Sequence, residues 1–315
     1  MISYYAVALE YERDQNMKVK RSTLARKEAR IAYAIMIPFF VYIAFWNLIP
    51  LISGILMGFT EYNALNPPRW VGLRNYRDFF DPVNGYLTLL VRQVWMGAIA
   101  LALNTVISFA IGLALNVSMR GRGFFRVSVY VPAVAAVSVT TAVFVSLLDP
   151  VSGGVNRFLL SIGQQAIPWS HSQFWMVFWI VTFFVWRNLG VASIIWLGGL
   201  QGIDPSLHEA AQVDGATFVQ RIRYIVIPGL RFVASYIILT GIIGVMQMFD
   251  VVMFISQGNP FGQTDVLMYR IFRLGAVNFN LGMAGASSTI LGFITLIFVG
   301  IYLKGMLSKE AKDKI

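Results

Sequence analysis

Two charged residues and several polar or aromatic neighbours stand inside otherwise apolar stretches of this 315-residue sequence. Arg187 and Asp250 lie in different stretches, with Asn188 beside the arginine and Gln247 and Phe249 close to the carboxylate. A polar group at membrane depth is costly and usually faces a bundle interior or a water-filled cavity. We therefore expect these five residues to line a solute pathway, although a structural ion pair explains Arg187 and Asp250 equally well.

The sequence carries no pattern typical of a catalytic or metal centre. It has no cysteine, and its two histidines, His171 and His208, are far apart, so neither a thiolate site nor a paired-histidine site is expected. No lysine occurs between residues 28 and 303, which excludes there the Gly-rich loop ending in Gly-Lys-Ser/Thr that holds nucleotide phosphates. We expect neither an enzyme nor a bound cofactor, and any energy from ATP has to come from another chain.

The composition is that of a membrane protein. Hydrophobic residues make up 57% of the chain and charged residues 13%, with a mean hydropathy of +0.66, whereas soluble domains are about one quarter charged. A span needs about 20 predominantly apolar residues, and six stretches qualify. They are residues 31–57, 93–117, 124–148, 174–197, 232–256 and 282–303. The prediction is an all-α polytopic membrane protein with six transmembrane helices and no soluble module.

The positions of the cations indicate the orientation of the chain. With the N-terminus inside, segments 1–30, 118–126, 198–231 and 304–315 hold 17 Lys and Arg, and the outer loops hold 7. Cytoplasmic loops carry an excess of these cations. Both termini are therefore predicted to be cytoplasmic tails that flank a transmembrane domain over residues 31–303. This distribution explains the net charge of +10 without nucleic acid as a partner.

The first residues differ from those that follow. Residues 1–16 are acidic and rich in tyrosine, whereas the run after Met17 is basic. The sequence leaves open whether Met1 or Met17 is the start, and residues 1–30 show no secretory signal peptide.

The longest inner loop has the pattern of two short helices. Asp204 is placed to cap a first helix over residues 205–213, which opens with a proline, as is common in a first helical turn. Gly215 allows a sharp turn, and a second helix is expected over residues 216–225. Pro228 then marks the approach to the fifth span.

This loop resembles the signature of permease subunits of binding-protein-dependent ABC importers. The order is Glu209-Ala210-Ala211, Gly215, Ile225 and Pro228, with Ile227 where the family commonly has leucine. Further segments look like the sugar-type (carbohydrate) branch of that family. They are Trp186-Arg187-Asn188-Leu189-Gly190, Leu200-Gln201-Gly202-Ile203-Asp204-Pro205, Phe249-Asp250, Gln257-Gly258-Asn259-Pro260 and residues 30–50. The resemblance covers residues 18–305.

The resemblance implies that residues 204–228 dock in a groove of an ATP-hydrolysing subunit and pass its motion to the membrane helices. The coupling residues would be Glu209, Ala210, Ala211, Asp214, Gly215, Ile225 and Pro228. The implied partners are a second related permease, as a heterodimer, two ATP-binding subunits, an extracytoplasmic solute-binding protein and membrane lipid. The implied location is the cytoplasmic (inner) membrane, and the substrates of this branch are mostly mono- and oligosaccharides.

Other functions stay open at this point. A self-sufficient secondary carrier often shows internal repeats and helices broken at midplane, and we expect neither here. An intramembrane enzyme is disfavoured by the missing catalytic constellations. The inner loop could also be a helical hairpin that only stabilises the ends of the fourth and fifth spans. The sequence determines neither the solute nor the choice between a homodimer and a heterodimer.

Overall fold

The computed structural model describes residues 26–63, 65–118, 120–259 and 261–313, with side chains described up to residue 306. The two candidate starts and most of the N-terminal tail lie outside the described residues. The chain divides into two compact units, Met1–Leu56 and Met57–Ile315.

The described part of the first unit is one long helix. Helix α1 runs over Arg26–Met57 and covers the stretch predicted as the first span. A π-helical turn at Ala44–Leu48 precedes Pro50, which has no N–H to donate. In this wider turn the N–H of Ile49 bonds to the carbonyl of Ala44, so the helix continues past the proline that interrupts its regular ladder.

The described residues of the second unit form helices and one small hairpin. Its strands are β1 Thr60–Glu61 and β2 Arg69–Trp70, which pair antiparallel. Its helices are α2 Arg74–Phe80, α3 Tyr86–Asn116, α4 Arg122–Val134, α5 Val137–Leu147, α6 Gly154–Ser161, α7 Gln173–Gln201, α8 Pro205–Val213, α9 Phe218–Gly229, α10 Arg231–Met246, α11 Asp250–Ile255, α12 Leu267–Phe272 and α13 Leu281–Asp313. Short 3₁₀ turns occur at Pro82–Asn84 and Trp169–His171, and π turns at Ile222–Val226 within α9 and Arg273–Val277 after α12.

Among the described residues, four helices are long and apolar enough to cross a membrane, namely α1, α3, α7 and α13. The number rises to six if each of two bent pairs counts as one span. Helices α4 and α5 are bent by 99° to each other, and α9 and α10 by 69°. The predicted helical, polytopic fold is therefore confirmed, whereas the number of spans depends on the bent pairs.

The third and fifth predicted stretches are each interrupted in the structure. The stretch 124–148 breaks at Ala135 and Ala136, whose ψ angles are 145° and 130°. The stretch 232–256 is interrupted after Met246. An extended residue cannot continue the hydrogen-bond ladder of an α-helix. Hydropathy alone does not show where this happens, because apolar residues stand on both sides of each break.

The other predicted boundaries shift less. Helix α3 begins at Tyr86 rather than at residue 93, so Gln93 lies inside the helix. Helix α7 extends beyond the predicted 174–197 at both ends, and α13 continues past residue 303 to Asp313.

Helices α3, α7 and α10 form the centre of the second unit. A Cβ atom on Gly112 of α3 would lie 2.8 Å from the Cβ of Trp196 in α7, so these helices approach closely. The indole Nε1 of Trp196 donates to Ser108 Oγ at 3.0 Å in a buried hydrogen bond. Similarly, a Cβ atom on Gly97 of α3 would lie 2.8 Å from the Cβ of Val245 in α10. Close packing and one satisfied polar pair thus fix the register of these helices.

Candidate functional site

Helix α8, the first helix of the inner loop, begins as the sequence predicts. The carboxylate of Asp204 accepts the backbone N–H of Ser206 at 2.9 Å, and Pro205 occupies the first helical position. The cap satisfies one of the donors that have no partner within the helix. Hydrogen bonds from the backbone and side chain of Ser206 hold the pKa of the Asp204 carboxyl below its usual value.

The end of α8 is a Schellman motif built on Gly215. The N–H of Ala216 donates to the carbonyl of Ala211 at 2.8 Å, and the N–H of Gly215 donates to that of Gln212 at 3.1 Å. Gly215 has a φ of +74°, the left-handed conformation that this motif requires and that glycine adopts without strain. The predicted sharp turn is therefore a defined helix cap.

A capping box starts helix α9. The Thr217 side chain accepts the N–H of Gln220 at 3.4 Å, and the Gln220 side chain accepts the N–H of Thr217 at 2.7 Å. The helix then passes through the π turn Ile222–Val226 before Pro228. It begins two residues after the predicted start and runs past the predicted end at Ile225, because the π turn carries it through the proline.

The described residues of the predicted coupling set are mostly accessible. Glu209, Ala210, Asp214, Gly215 and Pro228 are exposed, and Ala211 and Ile225 are half-buried. The set thus exposes the small side chain of Ala210 and two carboxylates, Glu209 in α8 and Asp214 at its C-terminal cap.

Large apolar side chains surround this surface. Val213 is 88% exposed, Val219 70% and Phe218 64%. Exposed apolar side chains grouped within one helical hairpin are typical of a protein–protein contact. The end of α8 and the start of α9 thus carry exposed apolar side chains.

Arg187 of α7 lies close to Asp250, the first residue of α11. Arg187 Nη1 lies 4.0 Å from Asp250 Oδ2, and the side chains are 24% and 36% exposed. This separation is too long for a direct hydrogen bond, and Nη1 is buried without a hydrogen-bond partner. The carboxylate also accepts the N–H of Val251 at 2.8 Å. The two residues thus form an ion pair that leaves hydrogen-bonding capacity free.

Asn188 lines a cleft of about 220 Å³ between α3, α7 and α10. Its Nδ2 donates a hydrogen bond to the carbonyl of Phe184 at 2.8 Å. The cleft also contains Asn104, Tyr236 and Thr240. Asn104 Oδ1 is buried and has no hydrogen-bond partner. The cleft therefore presents uncharged polar groups.

The structure does not place Gln247, Phe249, Asp250 and Arg187 in this cleft. Gln247 is exposed, and Phe249 packs against Phe272 with ring centroids 5.4 Å apart. The predicted pathway residues therefore form two groups, one in the cleft and one at the helix break.

Sequence reasoning missed Tyr236 and Thr240 as cleft residues. They are four positions apart on α10 and so share one face, and both line the cleft. A polar residue repeated at helical spacing in an apolar run was the signal available in the sequence.

Comparison with known proteins gives one family and several relatives. The profile described as "Binding-protein-dependent transport system inner membrane component" matches residues 105–312. The chain is 27% identical over 288 residues to the trehalose/maltose transport system permease protein MalF of Thermococcus litoralis, covering 90% of this chain and 96% of the relative. It is 24% identical over 292 residues to the arabinooligosaccharides transport system permease protein AraP of Halalkalibacterium halodurans, covering 91% and 92%.

A solved structure has the same fold. It is a chain of a bacterial ABC transporter involved in the import of the acidic polysaccharide alginate, and it superposes with a TM-score of 0.81 at 22% identity. The match covers 90% of this chain and 96% of that chain.

Proposed function

Because the chain belongs to the family of inner membrane components of binding-protein-dependent transport systems, we propose that it is a permease subunit of an ATP-driven importer for a sugar or oligosaccharide. The observation that carries this proposal is the inner loop, where α8 ends in the Gly215 motif and exposes Glu209 and Ala210. The sugar class is supported by the relatives named for trehalose or maltose and for arabinooligosaccharides.

The energy for transport enters from a partner. We assign docking of the ATP-binding subunits to Glu209, Ala210, Ala211, Asp214, Gly215, Ile225 and Pro228. The small alanines allow close approach, Glu209 can pair with a basic residue of the partner, and the Schellman motif fixes the angle between α8 and α9. Closure of two ATP-binding subunits would then move α7 and α10, since α8 and α9 lie between them in the chain.

The chain would act in the cytoplasmic membrane with both termini on the cytoplasmic side. A second related permease would complete the pore as a heterodimer, and an extracytoplasmic binding protein would deliver the solute. The solute would pass the Asn188 cleft, whose polar groups suit hydroxyls. Arg187 and Asp250, with Gln247 and Phe249 beside them, would form a constriction at the helix break.

One experiment separates this function from the alternative of a self-sufficient carrier, which the broken helices also allow. The chain is purified with the subunits that accompany it, placed in lipid vesicles and tested with labelled maltose, trehalose and an arabinooligosaccharide. The proposal expects a bound ATPase and uptake that requires both ATP and the binding protein. Uptake by the chain alone would replace the proposal with the carrier. Glu209→Lys should release the ATPase, and Glu209→Asp should retain it.

A further inference from the structure

Gln93 joins the ends of two helices from inside a third. It lies in α3 with 0% of its surface exposed. Its Nε2 donates to the carbonyl of Met246 and lies 3.5 Å from that of Val245. Its Oε1 accepts the N–H of Met268 at 2.9 Å. Val245 and Met246 are the last residues of α10, and Met268 is in the first turn of α12.

These backbone groups need such a partner because of where they lie. The last carbonyls and first N–H groups of a helix have no partner within that helix. The surroundings are apolar, since Leu89, Leu90, Met246 and Leu267 belong to one buried cluster. An unpaired backbone group in such a place is costly. A glutamine amide both donates and accepts, so one side chain serves a helix end and a helix start.

The preceding residue holds the same segment at another point. Arg92 Nη1 donates to the carbonyl of Gly262 at 2.7 Å and to that of Asp265 at 2.8 Å. Asp265 in turn accepts Arg270 Nε at 2.9 Å. Adjacent residues of α3 therefore anchor the segment between α10 and α12 at both of its ends.

The anchored segment contains the helix break and the ion pair. The chain leaves α10 at Met246 and reaches Asp250, the first residue of α11, four residues later. The position of Asp250 opposite Arg187 thus depends on where α10 stops. Val251 and Val252 of α11 are 1% and 0% exposed, so the segment is packed as well as anchored.

We propose that Gln93 is a positioning residue for transport, which latches the end of α10 to the start of α12 and holds α11 in its packed place. This proposal rests on the proposed function, because it concerns the constriction at the helix break. Gln93 does not touch the solute. It acts through the backbone of Met246 and Met268, and its loss should loosen α11.

The natural absence of cysteine provides a direct test. Val252→Cys places one thiol in the buried part of α11, in the complex reconstituted in lipid vesicles. The rate of labelling by a membrane-impermeant maleimide is then compared with and without Gln93→Leu. We expect the labelling rate to rise by at least about fivefold, because a lost buried hydrogen bond of this kind shifts a local equilibrium by that order. Gln93→Met, which keeps the length of the side chain but lacks the amide donor and acceptor, should give a similar rise.

The matched control is Thr105→Val, which removes a hydroxyl bonded only within α3, to the carbonyl of Leu101 at 2.8 Å. It should leave the labelling rate unchanged. An unchanged rate in Gln93→Leu, or in Gln93→Met if the leucine variant does not assemble, overturns the latch. Failure of the proposed function is seen separately, as absence of ATP-dependent uptake by the unmodified complex.

Discussion

The backbone N–H of Ala216 donates to the carbonyl of Ala211 at 2.8 Å, and this bond closes α8 around Gly215. Ala211 belongs to the Glu-Ala-Ala run and Ala216 opens the return towards α9. The hydrogen bond therefore ties the proposed docking surface to the segment that leads back to the membrane helices. A change in the angle at Gly215 should weaken the transmission of force even if the docking side chains are intact.

Gly215→Ala tests this relationship. No atom lies within 4 Å of a Cβ at this position, so the substitution meets no clash and adds only the cost of a left-handed backbone, roughly 1 to 2 kcal/mol. We expect ATP-dependent uptake to fall while the ATPase still binds. Asn tolerates this conformation better, so Gly215→Asn should retain more uptake. Equal uptake in the wild type and the alanine variant would contradict this role of the turn.

The start of α8 should depend on the Asp204 cap. Asp204→Ala removes the acceptor for the Ser206 N–H, whereas Asp204→Asn keeps one. Hydrogen exchange of the first α8 amides, corrected for intrinsic rates, should accelerate in the alanine variant and little in the asparagine variant. Similar exchange in both variants would show that the cap contributes nothing to α8.

The same residue predicts a response to acid. Its pKa is lowered in the folded protein from the ordinary value of 3.8. The carboxylate therefore stabilises the cap at pH values above that ordinary value, and this contribution is lost as the pH falls through the lowered pKa. The amides of α8 should lose protection on acidification in the wild type and less so in Asp204→Asn. The opposite order would contradict the assigned cause of the pKa shift.

Arg187 and Asp250 should behave as a coupled pair in transport. At 4.0 Å and partly exposed, the pair is expected to contribute only about 0 to 1 kcal/mol to stability. Asp250→Ala alone, however, leaves the buried Nη1 of Arg187 without its counter-charge. We expect uptake to fall more in Asp250→Ala than in the double variant Arg187→Met with Asp250→Ala. Additive losses in the double variant would show that the two side chains act independently.

Asn188 should affect solute affinity. Asn188→Ala removes a polar group from the cleft, and one lost hydrogen bond corresponds to a KM increase of roughly two- to tenfold. Ser193→Ala is the matched control on α7, because the Ser193 hydroxyl bonds to the Leu189 carbonyl at 2.6 Å and does not line the cleft. An equal KM in wild type and Asn188→Ala would remove Asn188 from the pathway.

The sequence predicts best where signals are local. Asp204, Pro205 and Gly215 are sufficient to place α8 at Pro205–Val213, because helix caps depend on a few neighbouring residues. The break after Met246 depends on a residue distant in sequence, because the freed carbonyl of Met246 accepts a hydrogen bond from Gln93. Gln93 shows the same limit. The predicted second span begins at residue 93, whereas Gln93 lies inside α3 and bonds to residues more than 150 positions away.

The central claim is that force from an ATP-binding subunit enters through α8, and crosslinking at Val213 tests it most directly. The chain has no cysteine, so Val213→Cys gives a single thiol on an exposed position of α8. The assembled complex is treated with a short bifunctional thiol–amine reagent, with and without ATP. The control is Val151→Cys, which places a thiol at an exposed position in the loop between α5 and α6. We expect residue 213 to form a crosslink to the ATPase, and the yield of this crosslink should change with ATP. Residue 151 should form none. A complex that transports sugar but gives no ATPase crosslink at residue 213 contradicts this claim.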